Sequence, residues 1–363
     1  MRTITQDQLT RALNQRDLTD TGAGLHAMQL VVAALEGAVA TAYQVPVRRD
    51  PGPRVVSVAD NYDGLRYAPD DITRDRRYSH YVGEGRMLRS HTTARIPHLL
   101  RAVTGPVLLS VPGICYRRDV IDRVHVGQPH QHDLWLIRPD GPRLGVPDLQ
   151  RMIGVVVGAV LPGVPWATPA SPHPYTQHGR EIYAGDVEIG ECGLAHPGVL
   201  RSAGLPPTAS GLAMGLGLDR LLMLVKGVPD IRLLRAGDPR IAGQMLDLSA
   251  YRPVSSMPPT HRDLSLAVAD SLDAELLGDR VRDLLGPDAD AVEAVEIRSE
   301  TAYQHLPPSA RERMGMRPDQ KNVLLRVVLR HPSRTLTADH ANELRDRLYA
   351  GLHAGAAYEW TRP

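Results

Sequence analysis

Three stretches of the chain concentrate side chains suited to gripping an anionic ligand. Residues 113–135, GICYRRDVIDRVHVGQPHQHDLW, gather Arg117, Arg118, His125, His130, Gln131 and several carboxylates between two apolar runs. Isolated charges of this kind read as a solvated hairpin loop. Here they alternate with apolar residues, so several can project from one sheet face into a shared cleft. An arginine on a rigid strand is suited to holding a phosphate through two parallel hydrogen bonds. Residues 210–223, SGLAMGLGLDRLLM, carry Arg220 from a glycine-rich strand into the start of a helix. Such glycines permit close backbone approach to a ligand, and tight helix–strand packing explains them equally well. Residues 87–100, MLRSHTTARIPHLL, set His91 among the hydroxyls of Ser90, Thr92 and Thr93. Alone, that stretch reads as a capped helix start.

The elements that must position these residues follow from periodicity. LHAMQLVVAALEGAVATAY (25–43) and DLQRMIGVVVGAVL (148–161) predict helices, rich in Ala, Leu and Val without interior proline. RVVSVADNYDGL predicts a strand and a polar turn. PVLLSVPGICYRRDV and HDLWLIRPDG predict two strands joined by a long polar loop. YAGDVEIGECGL predicts a strand and GLAMGLGLDRLLMLVKG a strand running into a helix. The middle of the chain is therefore expected to be antiparallel hairpins, not βαβ units. Proline and serine around 249–260 mark a linker. Beyond it the order strand, helix, strand, strand, helix predicts a ferredoxin-like sandwich, with Thr337 capping the last helix. The expected domains are 1–248, a linker at 249–258, and 259–363.

The 363 residues suffice for two domains, and the balance of 42% hydrophobic with 23% charged residues is that of a soluble globular protein. No stretch approaches the roughly 20 apolar residues that cross a bilayer, and the first residues lack a secretory apolar core. A cytosolic protein with no membrane partner is expected. Two cysteines, Cys115 and Cys192, make neither a disulfide framework nor a zinc site. A net charge of +1 gives no global signal for nucleic acid. Phenylalanine is absent, although there are 12 tyrosines and three tryptophans.

Taken together, YRRD (116–119), PHQHD (129–133) and GLGLDR (215–220), in that order, resemble motifs 2 and 3 of class II aminoacyl-tRNA synthetases. LRSHTTA (88–94) resembles the signature of the phenylalanine type. DNYDGL (60–65), HPYT (173–176), CGLAHPGVL (192–200) and GVPDIRLLRAGDPR (227–240) are similar to segments of the phenylalanyl-tRNA synthetase catalytic chain. The tail resembles the ferredoxin-fold anticodon-binding domain of single-chain, organellar-type enzymes. The resemblance spans roughly residues 22–355. It implies an α+β fold, with a class II antiparallel sheet flanked by helices, then the ferredoxin-like domain.

The resemblance also implies roles. Arg117 matches the arginine on the ATP α-phosphate and Arg220 the one over adenine and the γ-phosphate. Asp119 and His125 complete the implied ATP set. His91 and Thr93 match residues that orient the amino acid, and Gln131 and Asp133 match the pair that reads its α-amino group. His173, Tyr175, Leu212 and Ala213 match the side-chain pocket. Glu188 and Glu191 are the nearest carboxylates for Mg²⁺. Arg262, Lys321, Arg326 and Arg330, with Arg334 and Arg345, are the implied tRNA contacts, and ordinary strand and helix solvation explains each equally well. Pro46 matches the motif 1 proline, a usual dimer segment, while the single-chain enzymes are monomers. A monomer is expected, with a homodimer as the alternative. The implied activity is ATP-dependent activation of phenylalanine or a close aromatic analogue and transfer to tRNA-Phe. Two alternatives are a paralogue serving a non-tRNA acceptor and an inactive tRNA-binding regulator.

The chain departs from the family where phenylalanine is expected. An F-P-F-T segment reads His173-Pro174-Tyr175-Thr176, an aromatic before H-Q reads Pro129, and G-F-A-F-G reads Gly211-Leu212-Ala213-Met214-Gly215. Remote positions are replaced too, in DIRLL (230–234), DPRIAGQM (238–245) and RDLSL (262–266). A changed substrate does not require the remote replacements, and aliphatic swaps of similar volume cost about 1.5 kcal/mol or less each. The expectation is an enzyme translatable without phenylalanine, a resistant second copy. Altered specificity through His173 and Tyr175 is the competing reading.

Overall fold

The computed structural model describes residues 3–254 and 258–357. The chain divides into two compact units, each discontinuous in sequence. The first comprises the residues up to Arg117, Gln128–Pro229 and Gly243–Tyr251. The second comprises Arg118–Gly127, Asp230–Ala242 and the residues from Arg252. The expected domains, 1–248 and 259–363 with a linker at 249–258, are contiguous stretches, whereas the compact units are not. Part of the expected linker, residues 255–257, lies outside the described residues. None of the described helices is long and apolar enough to cross a membrane.

In the first unit the strands are β1 (Val47–Arg49), β2 (Val55–Ser57), β3 (Tyr81–Gly83), β4 (Arg86–Leu88), β5 (Val107–Ile114), β6 (His130–Arg138), β7 (Trp166–Ala167), β8 (Thr176–Ala184), β9 (Val187–Ala195) and β10 (Ser210–Gly217). Seven of them form one sheet in the order β1-β5-β6-β10-β9-β8-β7, and β2-β4-β3 form a small second sheet. The large sheet is antiparallel apart from the parallel pair β1 and β5. The segment expected as one strand over YAGDVEIGECGL is instead a hairpin. Gly185 takes φ +57 between β8 and β9, a left-handed conformation that favours glycine.

Alternation sorts each strand into two faces. On the back face, Ser110 and His132 hydrogen-bond to each other at 2.8 Å, and Ser110 also donates to Glu36 in the helix Ala27–Tyr43. His130 is tied to Asp219 in the helix Leu218–Lys226. The front face carries Trp135, Ala213, Leu109 and Val111, buried with Leu99 and Leu100 of the helix Ile96–Leu100 and with Val199 and Leu200 of the helix Pro197–Ser202. At about 1.5–3 kcal/mol per buried large apolar side chain, this layer fixes the sheet against its loops.

In the second unit, β11 (Thr260–Ala269), the helix Ala274–Leu285, β12 (Val292–Ala302), β13 (Gln320–Leu329) and the helix Ala338–Leu352 follow in that order. The sheet runs β11-β13-β12, antiparallel throughout. Thr337 caps the last helix as expected, accepting from His340 N at 3.2 Å. The second unit draws in Arg118–Gly127 and Asp230–Ala242 through ion pairs. Arg118 meets Asp279, and buried Glu293 receives Arg123 at 2.8 Å, Arg330 at 2.7 Å and Arg232 at 3.7 Å. Arg282 donates to the carbonyls of Asp119 and Val120. Glu293 is the buried member of this cluster, so losing all three arginines would leave its charge buried without compensation.

Candidate active site

The front face of the large sheet supplies the floor. Strand β6 contributes Gln131, Asp133 and Trp135 at alternate positions. The register sets Asp133 beside Gly215 of β10, and Gly215 beside Glu191 of β9. One step along, Trp135, Ala213 and Gly193 form the next row. Leu212, expected in the amino-acid pocket, faces the other way. It is fully buried between Leu136 and Leu194, because neighbours on a strand point to opposite faces.

The loop at 89–95 crosses this floor. Asn61 holds it through Ser90, with bonds of 2.8 and 3.1 Å. Thr92 N donates to Gln131 Oε1 at 3.3 Å. The hydroxyls of Thr92 and Thr93 donate to Asp133 Oδ2 at 2.6 and 3.1 Å, and Trp135 Nε1 donates to Oδ1 at 3.2 Å. Burial nevertheless holds the Asp133 carboxyl up to about 6. The stretch that taken alone reads as a capped helix start is a 3₁₀ turn, Thr92–Arg95, leading into Ile96–Leu100, and the His91 side chain makes no cap bond. His91 is buried with neither ring nitrogen hydrogen-bonded among the described residues. Burial, then the charge of Arg117, push it down to about 3, so its imidazole is neutral.

Aromatic rings wall the apolar end. Tyr175 stacks at 6.1 Å on Trp135 and 5.9 Å on His173, and Tyr67 lies 5.8 Å from the His91 ring. Tyr175 and His173 both bond to Glu191, the latter at 2.8 Å. Burial works against ionisation of Glu191, but the bond and charge of His173 and the hydroxyl of Tyr175 outweigh it and bring the carboxyl down to about 2. Burial likewise opposes the charge on His173, and Glu191 reverses that, raising the imidazole above its ordinary range. Trp135, Tyr67 and Thr92 were missing from the sequence-derived set. Trp135 was findable, standing two residues beyond Asp133 and hence on the same face. Tyr67 carried no local signal.

Arg117 uses Nε to hold Ser90 O at 2.7 Å, and its terminal nitrogens make no hydrogen bond among the described residues. Arg220 pairs with Glu188 Oε2 at 2.9 Å. Glu188 and Glu191 share a face because of a bulge at Ile189: their partners on β8, Tyr183 and Glu181, are two apart. Among the described residues no group of three His, Cys, Asp or Glu could hold a metal ion alone. Both oxygens of Glu191 already accept one bond each, from Tyr175 and His173. Glu188, 42% exposed beside Arg220, suits an ion carried mainly by phosphates. Asp119 and His125 fall in the second unit. There Asp119 accepts from Val120 N at 2.9 Å, and His125 pairs with Asp122 at 2.7 Å.

Of the six basic residues expected at tRNA, Arg262, Lys321, Arg326, Arg330 and Arg345 are engaged within the second unit. Arg326 pairs with Asp263 through two bonds of 2.8 Å, Lys321 with Glu300 at 3.0 Å, and Arg330 with Glu293. Arg262 donates to Asn342 at 2.9 Å.

The phenylalanine–tRNA ligase alpha subunit of Acaryochloris marina is 31% identical over 198 residues, which is 53% of this chain and 59% of that one. The chloroplastic/mitochondrial phenylalanine–tRNA ligase of Arabidopsis thaliana is 26% identical, covering 81% of this chain and 68% of its own length. A probable mitochondrial phenylalanine–tRNA ligase of Drosophila melanogaster is 26% identical, covering 81% and 74%. The chain thus spans about six-tenths of the length of the bacterial-type relatives. The profile described as "tRNA synthetases class II core domain (F)" matches residues 22–245, which include every front-face residue named above, and the chain belongs to that family.

Proposed function

We propose that the chain activates phenylalanine, or a close aromatic analogue, with ATP and transfers it to tRNA-Phe. The observation that carries this reading is the front face itself: an ionisable Asp133 and an unpartnered, neutral His91 stand beside a wall of Tyr67, Trp135 and Tyr175. The substrate ammonium meets Asp133 and Gln131, and the ring meets the aromatic wall. A carboxylate oxygen then forms a bond to the α-phosphorus of ATP as the bond to pyrophosphate breaks. Catalysis of this step rests on alignment and charge neutralisation, not on a proton donor. Arg117 and Arg220 supply fixed positive charge to the phosphates. Glu188 would hold a Mg²⁺ bound with ATP, which would supply further neutralisation. The tRNA hydroxyl next attacks the activated carbonyl and AMP leaves.

For the second unit we propose a ferredoxin-like, anticodon-binding role. The order strand-helix-strand-strand-helix, interrupted by the short helix Pro308–Met314 between β12 and β13, and the arrangement β11-β13-β12 support it. A cytoplasmic monomer is the assembly this reading carries. The absence of phenylalanine fits a copy made when that amino acid is scarce. Leu234, Ile241, Met245 and Leu266, which stand at the remote family phenylalanine positions, are all buried apolar core residues. ATP–pyrophosphate exchange across phenylalanine, tyrosine, ring-substituted analogues and the other standard amino acids tests the reading, followed by charging of tRNA-Phe. Exchange with phenylalanine supports it, and no exchange with any amino acid sinks it.

A further inference from the structure

Resting on that reading, we propose that Glu191 is a second carboxylate for the substrate's α-ammonium group, which sits above Gly215 between Glu191 and Asp133. The register puts Asp133, Gly215 and Glu191 in one row across three strands of the front face. A Cβ built on Gly215 would stand 3.9 Å from Glu191 Oε1 and 4.0 Å from Asp133 Oδ1. Both carboxylates therefore lean over one point, and the missing side chain of Gly215 keeps that point open. Like charges held this close are unfavourable unless a cation comes between them.

The surroundings point to the same ligand. Asp133 already accepts from Thr92, Thr93 and Trp135, which orient it without neutralising it. His173 and Tyr175 fix Glu191 from its outer side. Asp133 Oδ1, which faces Gly215, and both oxygens of Glu191 each accept one bond and keep a second lone pair for a further donor. His91 completes the ring of polar groups. It is nine-tenths buried, its nitrogens are unpartnered among the described residues, and it interacts electrostatically with Glu191. His173 and Tyr175 thereby become positioning residues for Glu191.

The test is calorimetry with the full chain, without nucleotide or metal, using two probes. L-phenylalaninol keeps the ammonium and lacks the carboxylate. 3-Phenylpropionate keeps the carboxylate and lacks the ammonium. In Glu191→Gln the Kd of phenylalaninol should rise about 10- to 100-fold, while that of 3-phenylpropionate stays within about 3-fold, as loss of a charged hydrogen bond implies. Gly215→Ala should fold, because its φ is not positive and the new contacts are ordinary packing distances, and it should weaken phenylalaninol alone. Unchanged phenylalaninol binding in both variants, or no binding by the unaltered protein, overturns the proposal. Equal losses for both probes in Glu191→Gln also overturn it, by reducing Glu191 to a support of the wall. The activity fails separately. Glu191-dependent binding of phenylalaninol without pyrophosphate exchange would keep the ammonium site and remove the proposed reaction.

Discussion

The hydroxyl of Thr92 donates to Asp133 Oδ2 at 2.6 Å, inside a site whose burial keeps that carboxyl protonated up to about 6. The two effects oppose each other and burial is the larger. Between 3.8, the ordinary value, and about 6, the folded chain holds a proton that the unfolded chain has released. Asp133 therefore costs stability increasingly as pH rises through that window, and the full cost applies above it. An ammonium group needs the ionised form. In pyrophosphate exchange, KM for the amino acid should rise about tenfold per pH unit below about 6. A flat profile between pH 5 and 7 would refute this.

Thr92→Val removes the nearer donor while keeping the shape of the side chain. The ionised form of Asp133 loses a charged hydrogen bond, so the midpoint of that profile should move upward by about one unit. Thr93→Val, acting through a longer bond, should move it less. A downward shift in either variant would contradict the reading of both hydroxyls as donors.

Arg117→Lys keeps a charge but loses the planar pair of terminal donors. The expected result is a fall of about 100-fold in kcat/KM for ATP in pyrophosphate exchange. Calorimetric binding of L-phenylalaninol should not change. A loss in phenylalaninol binding instead would assign Arg117 to the loop, through its bond to Ser90 O, and not to the nucleotide.

Arg330→Gln probes the second unit. Glu293 keeps Arg123 at 2.8 Å, so the fold should survive. If Arg330 meets a tRNA phosphate, the salt slope of tRNA binding should fall by about one. Pyrophosphate exchange, which uses no tRNA, should be unaffected. An unchanged slope would leave Arg330 as a purely internal partner of Glu293.

The strands and helices were legible because their periods are strong. Ala27–Tyr43 and Val146–Val160 lie within two residues of their expected limits. Motif-bearing residues on a regular strand were legible for the same reason, as with Gln131 and Asp133. Three things were not. Leu212 stands next to Ala213 in the motif but across the sheet from it, which motif matching ignores. Glu188 and Glu191, three apart, belong on opposite faces of an ideal strand, and only the bulge at Ile189 reunites them. Tyr67 reaches His91 through a turn in which Arg66 takes φ 69, a conformation its sequence does not announce.

The second unit's three-part origin has a practical consequence for anyone wishing to study it by dissection. A fragment starting near residue 259 would be severed from Arg118, Arg123 and Arg232. Asp279 would be stripped of its Arg118 contact, and Glu293 would be left with Arg330 alone. Transplanting the fragment without Arg118–Gly127 and Asp230–Ala242 should give a less stable, pH-sensitive piece. A graft that carries those two loops along is the version to build.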